Sequence, residues 1–160
     1  MKNLVVYFSL EGNTKLIAEM IAKELNADIM ELRTKKAFPK KGFKKYLWAS
    51  KSVIFKENPI LINRYIDLNQ YDNIFLGSPI WVGTYASPFN TFIRDYKIYN
   101  RNIGLFACSG GGSTKKCFDE FKKVLKWNNF IGEIEFIEPL RSDKEECVKI
   151  IKQWIKNLNI

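Results

Sequence analysis

Ser9-Leu10-Glu11-Gly12-Asn13-Thr14 gathers hydroxyl, amide and glycine groups directly ahead of a helical pattern. A helix amino terminus presents unpaired N–H groups and about half a positive charge, which suits a phosphate. Gly12 lets the backbone approach closely, and Ser9, Asn13 and Thr14 add donors. The same residues also suit a plain helix cap, with Asn13 or Thr14 closing the first turn. Two further stretches have comparable character. Gly77-Ser78-Pro79-Ile80-Trp81-Val82-Gly83-Thr84-Tyr85 combines turn formers with two large aromatics, and Cys108-Ser109-Gly110-Gly111-Gly112-Ser113 is a run of small residues.

The elements around these stretches alternate in period. Lys2–Phe8 is a β-branched and aromatic run of strand length, and Leu16, Ile17, Met20, Ile21 and Leu25 then recur at helical spacing. Asp28–Leu32 reads as a second strand, Tyr71–Gly77 as a third, Asn102–Ala107 as a fourth and Phe130–Ile137 as a fifth. Helical patterns lie between and after them. One from about Gly42 to Phe55 carries Phe43, Leu47 and Ile54 on one face. Later ones carry Phe89, Phe92, Ile93 and Tyr96, then Cys117, Phe118, Phe121, Val124 and Leu125. Ser142-Asp143-Lys144-Glu145 reads as a capping box opening a last helix. This alternation predicts a single α/β domain over residues 1–160, a three-layer sandwich around a five-stranded parallel sheet in the order 2-1-3-4-5. Ligands in such sheets bind outside the carboxyl ends of the strands, where all three stretches fall.

Composition excludes much. The chain has no histidine, which removes Ser-His-Asp and Cys-His catalysis and His-ligated zinc. Its three cysteines, Cys108, Cys117 and Cys147, form no CxxC pair, so neither a disulfide framework nor a thiolate metal site is expected. Cys108 has no neighbouring cation in sequence to activate it, and Trp48, Trp127 and Trp154 read as packing residues. The first strand ends in Phe8-Ser9 and lacks the acidic residues a Mg²⁺ site needs. No GxxxxGK[ST] or GxGxxG occurs. Phosphate binding without a metal remains. No apolar run approaches the length that spans a bilayer, and Leu4–Phe8 is too short for a signal peptide, so a cytoplasmic protein is expected.

Net charge is +9, from 26 basic and 17 acidic residues. Arg33 to Lys56 holds nine basic residues and no acid; removing those nine leaves 17 basic against 17 acidic elsewhere. The excess is therefore local. Lys40, Lys41, Lys44, Lys45 and Lys51 border the face carrying Phe43, Leu47 and Ile54, a basic amphipathic pattern suited to an acidic partner or an anionic surface. A solvated helix face is the plain alternative. No nucleic-acid-binding motif accompanies the charge.

Ser9–Thr14 resembles the flavodoxin phosphate loop, [S/T]-x-T-G-N-T, with Glu11 in place of the middle threonine. Gly77–Tyr85 is similar to the second flavin loop of that family and Ser109–Ser113 to the third. The resemblance implies FMN as cofactor, with Ser9, Leu10, Glu11, Gly12, Asn13 and Thr14 around its 5′-phosphate. The Glu11 side chain is expected to turn outward, and Lys15 to offset charge or stay solvated. It implies that Trp81 or Tyr85 contacts the isoalloxazine or ribityl chain. Pro79, Ile80, Val82, Gly83 and Thr84 then border the N5 edge, and Ser109, Gly110, Gly111 and Gly112 the pyrimidine edge. No side-chain acid, base or nucleophile and no metal is demanded. The third loop has no aromatic, which leaves one ring face open. Two roles follow from the resemblance: an electron carrier between protein partners, or an FMN-dependent NAD(P)H reductase acting on a quinone or other small acceptor.

Overall fold

A strand buried on both faces must be apolar throughout, because successive side chains point opposite ways. The computed structural model describes residues 1–39, 42–158 and 160, with the side chains of 45 and 46 left out. In β1 (Asn3–Tyr7), Leu4 and Val6 enter one core and Val5 and Tyr7 the other. Among the described residues, five strands lie parallel in the spatial order β2 (Asp28–Glu31), β1, β3 (Asn73–Trp81), β5 (Asn102–Ser109), β6 (Asn129–Ile137). A sixth, β4 (Thr84–Tyr85), pairs antiparallel with the end of β3. Set β4 aside and the order is the predicted 2-1-3-4-5.

Helices α1 (Asn13–Leu25) and α5 (Lys144–Lys156) cover one face, with Ile17, Ile21, Cys147 and Ile151 against Val5, Phe75 and Phe106. Helices α2 (Phe43–Ile54), α3 (Pro88–Tyr96) and α4 (Lys115–Val124) cover the other through Ala49, Phe89, Phe92 and Phe121.

Two cross-strand devices set the register. Asn3, Asn73, Asn102 and Asn129 stand opposite one another on β1, β3, β5 and β6. Each amide donates to the next: Asn129 to Asn102 at 2.9 Å, Asn102 to Asn73 and Asn73 to Asn3 at 2.8 Å, and Asn3 to the Leu25 carbonyl at 3.1 Å. Further along, Phe75 pairs with Gly104 and Phe106 with Gly77. Each ring occupies the space that a Cβ on its partner would fill: a Cβ at Gly104 stands 2.4 Å from the Phe75 ring, and one at Gly77 stands 1.9 Å from the Phe106 ring.

The structure differs from the sequence reading in several places. Strand β3 runs past Gly77 to Trp81 and β4 takes up Thr84 and Tyr85, so all of the second stretch but its turn at Val82 and Gly83 is strand. Helix α5 is capped by Asp143, which accepts from Glu145 N at 2.9 Å, while the Ser142 hydroxyl turns back to the Ile137 and Glu138 carbonyls. Helix α2 forms where predicted, but Phe43, Leu47 and Ile54 face away from the sheet and Ala49 and Ser52 face it. Of the tryptophans read as packing residues, Trp48 and Trp127 are exposed; Trp154 is half-buried with its ring edge-on to Phe75.

Gly104→Ala forces the buried Phe75 ring to move and is expected to destabilise the fold by about 1–3 kcal/mol, as overpacked cores do. Urea unfolding checks this, through a lower midpoint at unchanged slope.

Candidate functional site

The carboxyl ends of β1, β3 and β5 open into a cavity of about 450 Å³, within the range of small-molecule sites. All three predicted stretches contribute: Ser9, Leu10, Glu11, Asn13 and Thr14 from the first, Pro79, Ile80, Trp81 and Val82 from the second, Ser109 and Gly110 from the third. Gly12, Gly83, Thr84, Tyr85, Gly111 and Gly112 are outside the lining.

The first stretch is shaped by Gly12. Its φ of 101° lies in the left-handed region that favours glycine, and it starts α1 with no side-chain cap. The Ser9 hydroxyl instead accepts from Gly12 N at 3.1 Å, and Asn13 Oδ1 accepts from Leu140 N at 3.0 Å. Neither Asn13 nor Thr14 closes the first turn, and that turn carries no acid. Thr14 is buried, and its Oγ1 has no oxygen or nitrogen partner, only the weak Cys108 sulfur nearby. A buried hydroxyl left unsatisfied costs stability unless a ligand answers it. Glu11 is exposed at the rim, and Lys15 leans to Glu19 at 3.8 Å.

The second stretch ends in a two-residue hairpin loop with Val82 at φ 50° and Gly83 at φ 78°. Positive φ at both centres is the type I′ geometry that matches strand twist. Glycine adopts it readily, whereas a β-branched valine is strained there. Val82 lies half-exposed at the cavity. Trp81 lines the cavity but is only 7% exposed, with its ring edge-on to Phe8 at 5.4 Å and Phe38 at 5.0 Å. Tyr85 turns into the core and stacks on Phe121 at 4.3 Å; burial pushes its hydroxyl up to about 12.

In the third stretch Ser109 and Gly110 reach the cavity, while Gly111 and Gly112 are exposed beyond it. Cys108 also lines the wall. Burial pushes its thiol up to about 12, against a smaller opposing pull from the Thr14 hydroxyl, so it is no nucleophile near neutral pH.

Five lining residues were not singled out for the cavity from sequence. Ala49 and Ser50 come from α2, and Glu138, Leu140 and Arg141 from the turn after β6. The second group had a signal: every parallel strand ends at the same edge, so the end of the fifth belongs with the other three. At the rim Arg141 pairs with Glu138 at 2.9 Å, an exposed contact of little energetic weight.

A profile of the flavodoxin family matches residues 2–158. The chain belongs to that family. Among solved structures, it is similar to a flavoprotein from Lactobacillus acidophilus NCFM in complex with FMN, at 27% identity and a TM-score of 0.76, covering 96% of this chain and 98% of that one. A protein from Bacteroides uniformis ATCC 8492 is 27% identical with a TM-score of 0.81, covering 97% of each chain. One from Bacteroides eggerthii DSM 20697, at 24% identity, shares the fold with a TM-score of 0.84 over 99% of this chain and 98% of that one. No curated protein matches this flavodoxin-family chain.

The family's phosphate loop fits the residues present: an uncapped helix start and an unanswered buried hydroxyl meet at Thr14. Among the described residues no group of histidine, cysteine, aspartate or glutamate could hold a metal ion. None of the described helices is long and apolar enough to cross a membrane.

Relieving the hairpin strain is the direct test of this geometry. Val82→Asn, which tolerates positive φ, is expected to stabilise the apoprotein by about 1 kcal/mol. Thermal unfolding without added cofactor measures it.

Proposed function

We propose that this chain binds FMN in the cavity at the carboxyl ends of β1, β3 and β5, and carries single electrons between protein partners in the cytoplasm. FMN is the cofactor that family membership and the Lactobacillus acidophilus complex both support. When bound, the flavin supplies the redox chemistry, and the protein supplies binding, orientation and electrostatics. The observation that carries the reading is Thr14, whose buried hydroxyl has no oxygen or nitrogen partner beside the uncapped start of α1. A phosphate answers both, taking the hydroxyl proton and the free N–H groups of the first turn. Pro79, Trp81 and Val82 line the cavity from the end of β3, and Ser109 and Gly110 from the end of β5.

No lining residue needs to move a proton to a substrate, and Cys108 is held neutral. That suits a carrier and, because the flavin itself would take the hydride, a reductase as well. A second reading, an FMN-dependent NAD(P)H reductase acting on a quinone or other small acceptor, rests on a different observation. Trp81 is the one aromatic among the described lining residues, and it is held edge-on by Phe8 and Phe38. A ring face without an aromatic cover admits a nicotinamide.

Thr14→Val separates binding from folding. Removing an unsatisfied hydroxyl is expected to leave apoprotein stability unchanged or raised. FMN affinity should fall about tenfold or more, the weight of one hydrogen bond to a charged group. Flavin fluorescence titration beside denaturant unfolding reads both. A stability loss without an affinity loss would remove Thr14 from the site.

The roles are separated by an anaerobic visible spectrum of the FMN-loaded protein before and after NADPH. A carrier keeps its flavin band with NADPH and takes up electrons in two resolved one-electron steps on potentiometric titration. Bleaching within turnover time makes the chain a reductase. Failure to retain FMN overturns both.

A further inference from the structure

Helix α2 presents its large side chains to solvent. It rests on the body through Ala49, Ser52 and the partly buried Val53, whereas Phe43 and Ile54 are 77% and 66% exposed on the outer side, with Leu47 between them. Large apolar residues at helical spacing ordinarily form the buried stripe. Lys44 and Lys51 flank this outer stripe, and the Lys51 ammonium lies 5.8 Å over the Trp48 ring. Arg33–Lys56 holds the chain's whole basic excess and no acid. Lys40, Lys41 and the side chain of Lys45 lie outside the described residues, so the surface is defined by Lys44 and Lys51. The same helix also supplies Ala49 and Ser50 to the cavity wall. An apolar centre bordered by one sign of charge, on a helix that also lines the cavity, is the anatomy of a protein interface with an electrostatically matched partner.

We propose that the outer face of α2 docks an acidic electron-transfer protein, whose apolar centre covers Phe43, Leu47 and Ile54 and whose carboxylates meet Lys44 and Lys51. The inference rests on the reading of the chain as an electron carrier. A second copy is the poorer occupant, because a two-fold contact repeats the same patch on both sides and sets lysine against lysine. An anionic bilayer matches the charge but offers no redox centre to exchange with.

The test uses the full chain and a small acidic [2Fe–2S] ferredoxin as probe. Binding kinetics are measured with and without FMN, at low and high salt. The expected result is an association rate that falls with salt. In the double variant Lys44→Glu/Lys51→Glu it falls about tenfold at low salt, as steered encounters do. Leu47→Ser, which removes an exposed side chain and leaves the core intact, is expected to speed dissociation. Absence of ferredoxin binding, or binding that the charge reversal leaves unchanged, overturns the proposal. So does salt-resistant self-association abolished by Leu47→Ser, or stronger binding to vesicles of phosphatidylcholine and phosphatidylserine than to ferredoxin. Docking is read without flavin, so a chain that docks ferredoxin yet fails to hold FMN keeps this surface and loses the carrier reading alone.

Discussion

Parallel strands whose two faces are both apolar are free to slip. A shift of two residues returns every side chain to its own face, so burial alone does not choose a register. The row of asparagine amides from Asn129 through Asn102 and Asn73 to Asn3 removes that freedom. Asn73 is fully buried, and a slip on either side would strand its amide without a partner inside the sheet. Each bond in the row also polarises the next. The row lies at the amino ends of the strands and the cavity at the carboxyl ends. Levelling one end sets how high Ser9, Pro79 and Ser109 stand at the other, and the cofactor wall inherits its shape from a polar chain at the far side of the molecule.

The glycine and phenylalanine pairs on β3 and β5 act on the same constraint from inside the core. Phe75 over Gly104 and Phe106 over Gly77 are reciprocal, so moving either strand along the other drives a ring into a neighbour with a Cβ. Polar pairing at the edge and steric matching in the interior choose one register independently. Agreement between such levels gives a sequence a single native state.

Most of this architecture was legible because strands and helices differ in period, and the first stretch was legible as part of the cavity because it follows directly on the first strand. What escaped had a long-range cause. Periodicity groups Phe43, Leu47 and Ile54 on one face of α2, but says nothing about which way that face turns. Its direction follows from the small Ala49 and Ser52, which allow the helix to lie against the sheet side of the molecule. The contribution of Leu140 depends on a hydrogen bond to Asn13 across 127 residues of chain, which no local window contains. Tyr85 was read as a cofactor contact from its place in a loop, whereas the Val82-Gly83 hairpin reverses the chain and delivers its ring to Phe121. That hairpin was itself hidden, because valine is the wrong residue for a left-handed turn.

Between β2 and β3 the chain leaves the sheet, forms α2 and returns. The departure and the return are fastened to each other: Lys35 N donates to the Ile60 carbonyl at 2.8 Å and Ile62 N to the Arg33 carbonyl at 2.9 Å, with Thr34 bridging Leu61. The excursion is therefore closed on itself at its base and rests on the body through Ala49 and Ser52 of α2 together with Phe38, Val53, Leu61 and Ile66. Its outer residues can be exchanged without disturbing either core, the asparagine row or the phosphate loop. A lineage carrying this fold can change what it recognises one surface residue at a time while its cofactor chemistry stays as it was.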